Sequence, residues 1–191
     1  MISQIFFIYG GIILAFEFQF LDFLQTIHHP ILDKLMIFFT TLGNAGILWI
    51  LLAIIFLCVK KYRKCGVTMI LTLVLGLIFG NIILKNVIGR ERPCWINESV
   101  NMLIAIPKDY SFPSGHTLAS IGAATAIFCS HKKLGIAAFA VAVVIAFSRM
   151  YLYVHFLTDI LAGLILGIIL GILSYILVNK FWPKEKAVTE K

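Results

Sequence analysis

Apolar residues along this chain come in long runs separated by short polar or basic breaks. Residues 2–20 form the first run, with Glu17 near its end. It lacks the basic start and small-residue cleavage site of a signal peptide, so a membrane span is expected there. The next stretch, residues 24–43, is apolar only from Ile31 to Phe39, because His28, His29, Pro30, Asp33 and Lys34 interrupt its beginning. Its apolar part is too short to cross a bilayer comfortably. A surface or partly re-entrant helix is expected instead, punctuated by Gly43 and Asn44. Further spans are expected over residues 45–59, 66–84, 114–130, 134–147 and 156–178. One long polar stretch, 86–112, interrupts the series and carries Arg90, Glu91, Arg92, Pro93, Asn97, Glu98, Asn101, Lys108 and Asp109. The pattern predicts an all-α polytopic membrane protein, with six transmembrane helices and an additional interfacial helix on the outer face. It forms a single domain over residues 1–191.

Composition agrees. The chain is 61% hydrophobic and 13% charged, with mean hydropathy +1.00, whereas soluble domains are about half apolar and about a quarter charged. Lipid must therefore solvate most of the surface. The net charge of +7 does not indicate nucleic acid, because most of the basic residues follow apolar runs in three clusters: Lys60, Lys61, Arg63 and Lys64; Lys132 and Lys133; and Lys180, Lys184, Lys186 and Lys191. Cytoplasmic loop ends look like this. The rule places both termini and the tail 180–191 in the cytoplasm of a plasma-membrane protein. It places the polar stretch and the segment 148–155 outside. Cys58, Cys65, Cys94 and Cys129 have no metal-ligand spacing and are read as ordinary residues. Trp49, Trp95 and Trp182 are expected as interface anchors, and His28, His29 and His131 as loop or interfacial residues. Gly163, Gly167 and Gly171 recur every four residues, a spacing that lets another helix approach closely in lipid. Packing within the chain is the expectation and a dimer face the alternative, giving a monomer or weak homodimer.

Once the basic clusters are set aside, Lys85, Arg90, Arg92, His116, Arg149, His155 and Asp159 remain, all at the outer ends of spans. Charges near a membrane helix are costly and usually functional. Cations and histidines gathered on one face ask for an anion, and phosphate suits arginine because the planar guanidinium binds two oxygens at once. Pro113-Ser114-Gly115-His116 stands where the fourth span begins, and helix N-termini attract anions. Ser114 can cap the helix or donate its hydroxyl, Gly115 lets the backbone come close to an oxyanion, and His116 is a candidate proton donor. His155 and Asp159, four apart, share a helix face. A carboxylate that takes a hydrogen bond from one ring nitrogen leaves the other bare for attack.

Lys85-x6-Arg92-Pro93, Pro113-Ser114-Gly115-His116 and Ser148-Arg149-x5-His155-x3-Asp159 together resemble the three-part signature of the type 2 phosphatidic acid phosphatase superfamily. All three parts are in order, with the family's spacing, and they mark residues 85–159 as the catalytic core. The resemblance implies that Lys85, Arg92 and Arg149 hold phosphate oxygens while Ser114 and the Gly115 N–H complete the cradle. It implies that His155 attacks phosphorus to form a phosphohistidine, that His116 protonates the leaving oxygen and later helps activate water, and that Asp159 orients His155. No cofactor or metal is implied. Arg90 lies outside the signature and is weighed evenly between substrate contact and surface exposure.

A site at headgroup level on the outer face favours a membrane lipid substrate over a soluble ester. Small bacterial members of the family resemble undecaprenyl diphosphatases or phosphatidylglycerophosphate and phosphatidate phosphatases, and undecaprenyl diphosphate is narrowly preferred by that analogy. Competing readings are a lipid phosphotransferase, a vanadium-dependent haloperoxidase, half of a metal site at His155 and Asp159, and a small anion or lipid transporter. A transporter should carry polar groups near mid-membrane, whereas the middles of the second and fifth spans carry no charge.

Overall fold

The computed structural model describes residues 2–182, with side chains described from Gly11 onward; most of the expected cytoplasmic tail lies outside the described residues. Every described element is helical: α1 Ile2–Thr26, α2 Pro30–Gly43, α3 Ile47–Cys58, α4 Arg63–Gly76, α5 Lys85–Ile88, α6 Pro93–Ile96, α7 Gly115–Ser130, α8 Lys132–Tyr151 and α9 Leu157–Phe181. Among the described residues four helical stretches are long and apolar enough to cross a membrane: Pro30–Cys58, Lys60–Ile96, Lys132–Tyr151 and Leu157–Phe181. α7 has 16 residues, roughly 24 Å at 1.5 Å per residue.

α7 is the central helix, packed against α4, α8 and α9. Its small side chains let three neighbours close in: Ala123, Ala124 and Ala126 are fully buried, as is Ala142 of α8. The bulky aliphatic residues point the other way. Ile54 and Ile55 of α3, Ile82, and Ile165, Ile169 and Ile176 of α9 are all exposed, the arrangement of a bundle whose solvent is lipid.

The glycine stripe of α9 is filled within the chain. A Cβ at Gly167 would lie 2.9 Å from the Leu118 carbonyl oxygen and 3.0 Å from the Gly122 nitrogen. These are backbone atoms of a packed helix and cannot step aside. Gly167→Ala should therefore destabilise the bundle by about 1–3 kcal/mol, read as a lower unfolding midpoint in detergent.

Three local expectations need correction. Trp49 is not an interface anchor: it is 1% exposed and donates to Ser120 Oγ at 2.9 Å, since an indole needs one polar partner when buried. The fifth span does not stop at Phe147, because α8 runs on to Tyr151 with Ser148 and Arg149 buried in its last turns. The third span likewise passes Lys85, running through a π-helical segment Leu77–Leu84 into α5, where left-handed Gly89 (φ 58°) ends it. Parts of the polar stretch 86–112 fold into the protein interior: Arg92, Cys94 and Ser111 are each at most 3% exposed. α2 and α3 join at a sharp corner, with Ala45 at φ 50° and Gly46 at φ 69°.

Candidate active site

The signature residues converge at one end of the bundle. Lys85 comes from α5, Arg92 from the turn before α6, His116 from the start of α7, Arg149 from the last turn of α8, and Asp159 from the first turn of α9. His155 stands in the turn between α8 and α9. That turn is entirely buried from Tyr151 to Phe156 and carries Tyr153 at φ 58°, a conformation unfavourable for a bulky residue. Tyr153 Oη is tied to Asp22 Oδ1 at 2.7 Å.

Each half of the His155 ring has its own environment. Nδ1 faces Asp159 Oδ2 at 3.4 Å and Ser111 Oγ at 3.3 Å, and Ser111 Oγ itself donates to Asp159 Oδ2. Asp159 Oδ2 also accepts from the Phe156 N–H at 2.9 Å. The carboxylate thus holds the proton on Nδ1. Nε2 is left as an acceptor, 3.1 Å from Arg92 Nη1. Burial, then the charges of Arg92, Arg149 and Lys85, hold the ring's pKa well below the ordinary histidine value. His155 is therefore neutral, with its bare nitrogen facing cations.

Those cations lie deep. Lys85, Arg92 and Arg149 are 6%, 2% and 4% exposed. Arg92 is tethered by the carbonyls of Asp109 and Val154, both at 2.7 Å. The Asp109 carboxylate, more than half exposed, bridges Lys85 and Arg92, at 2.8 Å from Arg92 Nη2. Burial alone would raise its pKa, but the hydrogen bond and charge of Lys85, with Arg92 beside it, bring it down to about 2. Arg149 meets no carboxylate among the described residues. It donates to Thr40 Oγ1, and its Nε has no partner.

A cavity of about 870 Å³ opens on Lys85, Arg92, Arg149 and His155, with Gly115 and His116 on its wall, and continues along Ile50, Ile70, Leu73, Val74 and Leu77. Ser114 does not line it. Ser114 is fully buried, caps α7 by accepting from Thr117, and donates its N–H to the Asp159 carbonyl at 3.1 Å. Arg90 does not line it either. Its guanidinium lies over the Phe156 ring and donates to Asp159 Oδ1, Thr158 Oγ1 and Glu17 Oε2, each at 2.6 Å. Glu17, 1% exposed, also accepts from Thr158 N–H at 2.8 Å, satisfying a free donor at the start of α9. Arg90 is thus a brace behind Asp159. Sequence reasoning missed Ser111, Asp109, Asn44 and Thr40 as site residues; only the position of Ser111, just before the Pro113–His116 motif, hinted at a role. Among the described residues no group of three His, Cys, Asp or Glu side chains gathers as a metal site would need.

Comparison with known proteins adds the following. Residues 65–183 match the family described as the PAP2 superfamily. The chain is 35% identical over 132 residues to an undecaprenyl-diphosphatase of Sulfolobus acidocaldarius, an alignment covering 69% of this chain and 63% of that relative. It is 34% identical over 180 residues to phosphatidylglycerophosphatase B of Bacillus subtilis, covering 86% of this chain and 82% of the relative. Its fold is similar to the crystal structure of a transmembrane PAP2-type phosphatidylglycerolphosphate phosphatase from Bacillus subtilis, with TM-score 0.73, 26% identity and 96% of each chain covered.

Proposed function

The chain belongs to the PAP2 superfamily, and from that premise and the site's geometry we propose that it is an integral membrane phosphatase hydrolysing a lipid-linked phosphate or diphosphate through His155. The observation that carries this reading is the buried trio Lys85, Arg92 and Arg149, faced by one half-exposed carboxylate and converging on an unprotonated Nε2. Burying a guanidinium with no counter-charge costs several kcal/mol. An anion entering the cavity offsets that cost.

In the first step Nε2 of His155 attacks phosphorus in line. The P–N bond forms as the bond to the leaving oxygen breaks, and His116 supplies that oxygen's proton. Lys85, Arg92 and Arg149 take up the charge spreading over the equatorial oxygens, with the N–H groups at the start of α7 beside them. In the second step water attacks the phosphohistidine. Its proton passes to His116, and the electron pair of the P–N bond returns to Nε2. Asp159 and Ser111 keep Nδ1 protonated throughout and stabilise the imidazolium-like charge. The cationic clamp takes the part a divalent ion plays elsewhere, so phosphate release should persist undiminished in EDTA. Recovery only on adding Mg²⁺ would overturn the clamp.

The cavity's apolar continuation suits the tail of a lipid whose phosphate lies among the cations. Ile50, Val74 and Leu77 along it are exposed, leaving apolar surface for a tail to cover. We take the lipid to be undecaprenyl diphosphate, as for the relative from Sulfolobus. The second reading, phosphatidylglycerophosphate, is favoured by the longer alignment with phosphatidylglycerophosphatase B. Charge placement supports six spans, cytoplasmic termini and a site on the outer face of the plasma membrane. A phosphate-release panel on purified protein tests the substrate. Undecaprenyl diphosphate should be turned over with a kcat/KM at least about tenfold above phosphatidylglycerophosphate and phosphatidate, a gap of about 1.4 kcal/mol, and a reversed order would transfer the assignment to the second reading.

A further inference from the structure

The corner between α2 and α3 reaches into the site. Asn44, at that corner, lines the cavity, and its Oδ1 is 3.0 Å from Nε2 of His116. One residue earlier, Gly43 lies against the same ring: a Cβ there would come within 2.8 Å of His116 Cδ2 and of Ile145 Cγ2. One helical turn earlier still, Thr40 Oγ1 accepts from Arg149 Nη1. The backbone that delivers Asn44 is unusual. Ala45 is held at φ 50° and Gly46 at φ 69°, and a left-handed alanine persists only where its surroundings impose it. A segment that merely joined two apolar helices would need neither the left-handed pair nor a glycine pressed against a histidine ring.

We propose that Asn44 is a positioning residue that sets the proton inventory of His116; the inference rests on the phosphohistidine reading of the site. A carboxamide oxygen has no proton to give, so it accepts one, and the proton it accepts is the one on Nε2. His116 therefore keeps Nε2–H in both of its protonation states, and Nδ1 is the nitrogen that works. Charged, the ring carries a proton on Nδ1 as well, and that proton goes to the leaving oxygen as the P–O bond breaks. Neutral, the ring has a lone pair on Nδ1, which takes the proton of the water that attacks the phosphohistidine. Nδ1 thus gains in the second step the proton it lost in the first, and Asn44 Oδ1 holds the other proton still. The carboxamide is to His116 what the Asp159 carboxylate is to His155, but neutral. A carboxylate at this place would favour the charged ring and slow the second step.

Leaving-group dependence tests this. General-acid assistance matters for an alkoxide leaving group and hardly at all for a nitrophenolate, which departs without a proton. The wild type is measured first, in detergent, on undecaprenyl diphosphate, dihexanoyl phosphatidate and 4-nitrophenyl phosphate; release from none overturns the phosphatase reading and this proposal with it, and release from the diphosphate alone overturns this proposal only. Asn44→Ala should then lose on the order of 10²-fold in kcat/KM, which reports the steps through P–O cleavage, for the phosphatidate, and less than about threefold in kcat/KM for the aryl ester. His116→Ala should show the same pattern more strongly. Asn44→Gln, which keeps the acceptor on a longer arm, should recover part of the phosphatidate rate. The ratio of the two rates does not depend on how much of a variant is folded, so a loss of protein cannot imitate the result. Equal losses on both substrates, or no loss on the phosphatidate, would overturn the proposal.

Discussion

His155→Ala should abolish turnover, lowering kcat for phosphate release by on the order of 10⁵-fold or more, as removal of a nucleophile does in other covalent enzymes. In the proposed mechanism, Nε2 is the atom that bonds phosphorus. Its neighbours cannot substitute for it: Arg92 and Lys85 have no lone pair to offer as cations, and Asp109 is held by both of them. The variant should still bind. Lys85, Arg92 and Arg149 keep their tethers, and Arg92 Nη1 retains the Val154 carbonyl at 2.7 Å. Vanadate, a mimic of the phosphoryl transition state, should therefore still protect the variant against heat, although there is no turnover to inhibit. Phosphate release within tenfold of the wild type would contradict the assignment.

Asp159→Asn should be nearly as damaging, at on the order of 10³–10⁴-fold in kcat, since a carboxamide no longer dictates the tautomer of its histidine. Here the network adds to the loss. Asp159 Oδ2 accepts from Phe156 N–H, Ser111 Oγ and the His155 side, while Oδ1 accepts from Arg90 Nη1. Every neighbour offers a hydrogen, so the amide nitrogen that the substitution introduces must face a donor whichever way it is turned. Arg90 keeps Glu17, but one of its two carboxylates is gone. Stability should fall as well, by about 1–3 kcal/mol for the buried mismatch. Midpoints of thermal unfolding in detergent read that part, and single-turnover rates read the other. A variant with wild-type kcat would show that Asp159 braces α9 and nothing more.

The helices were legible because a run of apolar residues reports its solvent, and lipid leaves little choice of backbone. The signature residues were legible because phosphate transfer needs particular groups at spacings that local helix geometry enforces: His155 and Asp159 share a face whatever surrounds them. Hydropathy does not report neighbours, and the misreadings follow from that. Trp49 reads as an anchor until Ser120, 71 residues away, is seen beneath it. Glu17 reads as an awkward charge near a span end, and its partners Arg90 and Thr158 lie 73 and 141 residues on. Ser111 and Asn44 carry no charge and stand out in no pattern. They act through the histidines they touch, and those contacts exist only once α7 and α9 have closed against the rest of the bundle. The third and fifth spans ran past their expected limits because Lys85 and Arg149 turn into the cavity between the helices rather than out to lipid, so their charges did not end the helices.

If His155 is the nucleophile, phosphorus is bonded to it during turnover, and rapid-quench trapping with a lipid labelled in its phosphate captures that bond. The wild-type protein should carry a transient label that is lost in acid and stable in alkali, as a phosphoramidate bond is. That label should map to the peptide containing His155 and be missing from His155→Ala. Full-rate phosphate release with no protein-bound label at any quench time, or a label that survives acid as a phosphoserine does, would contradict it.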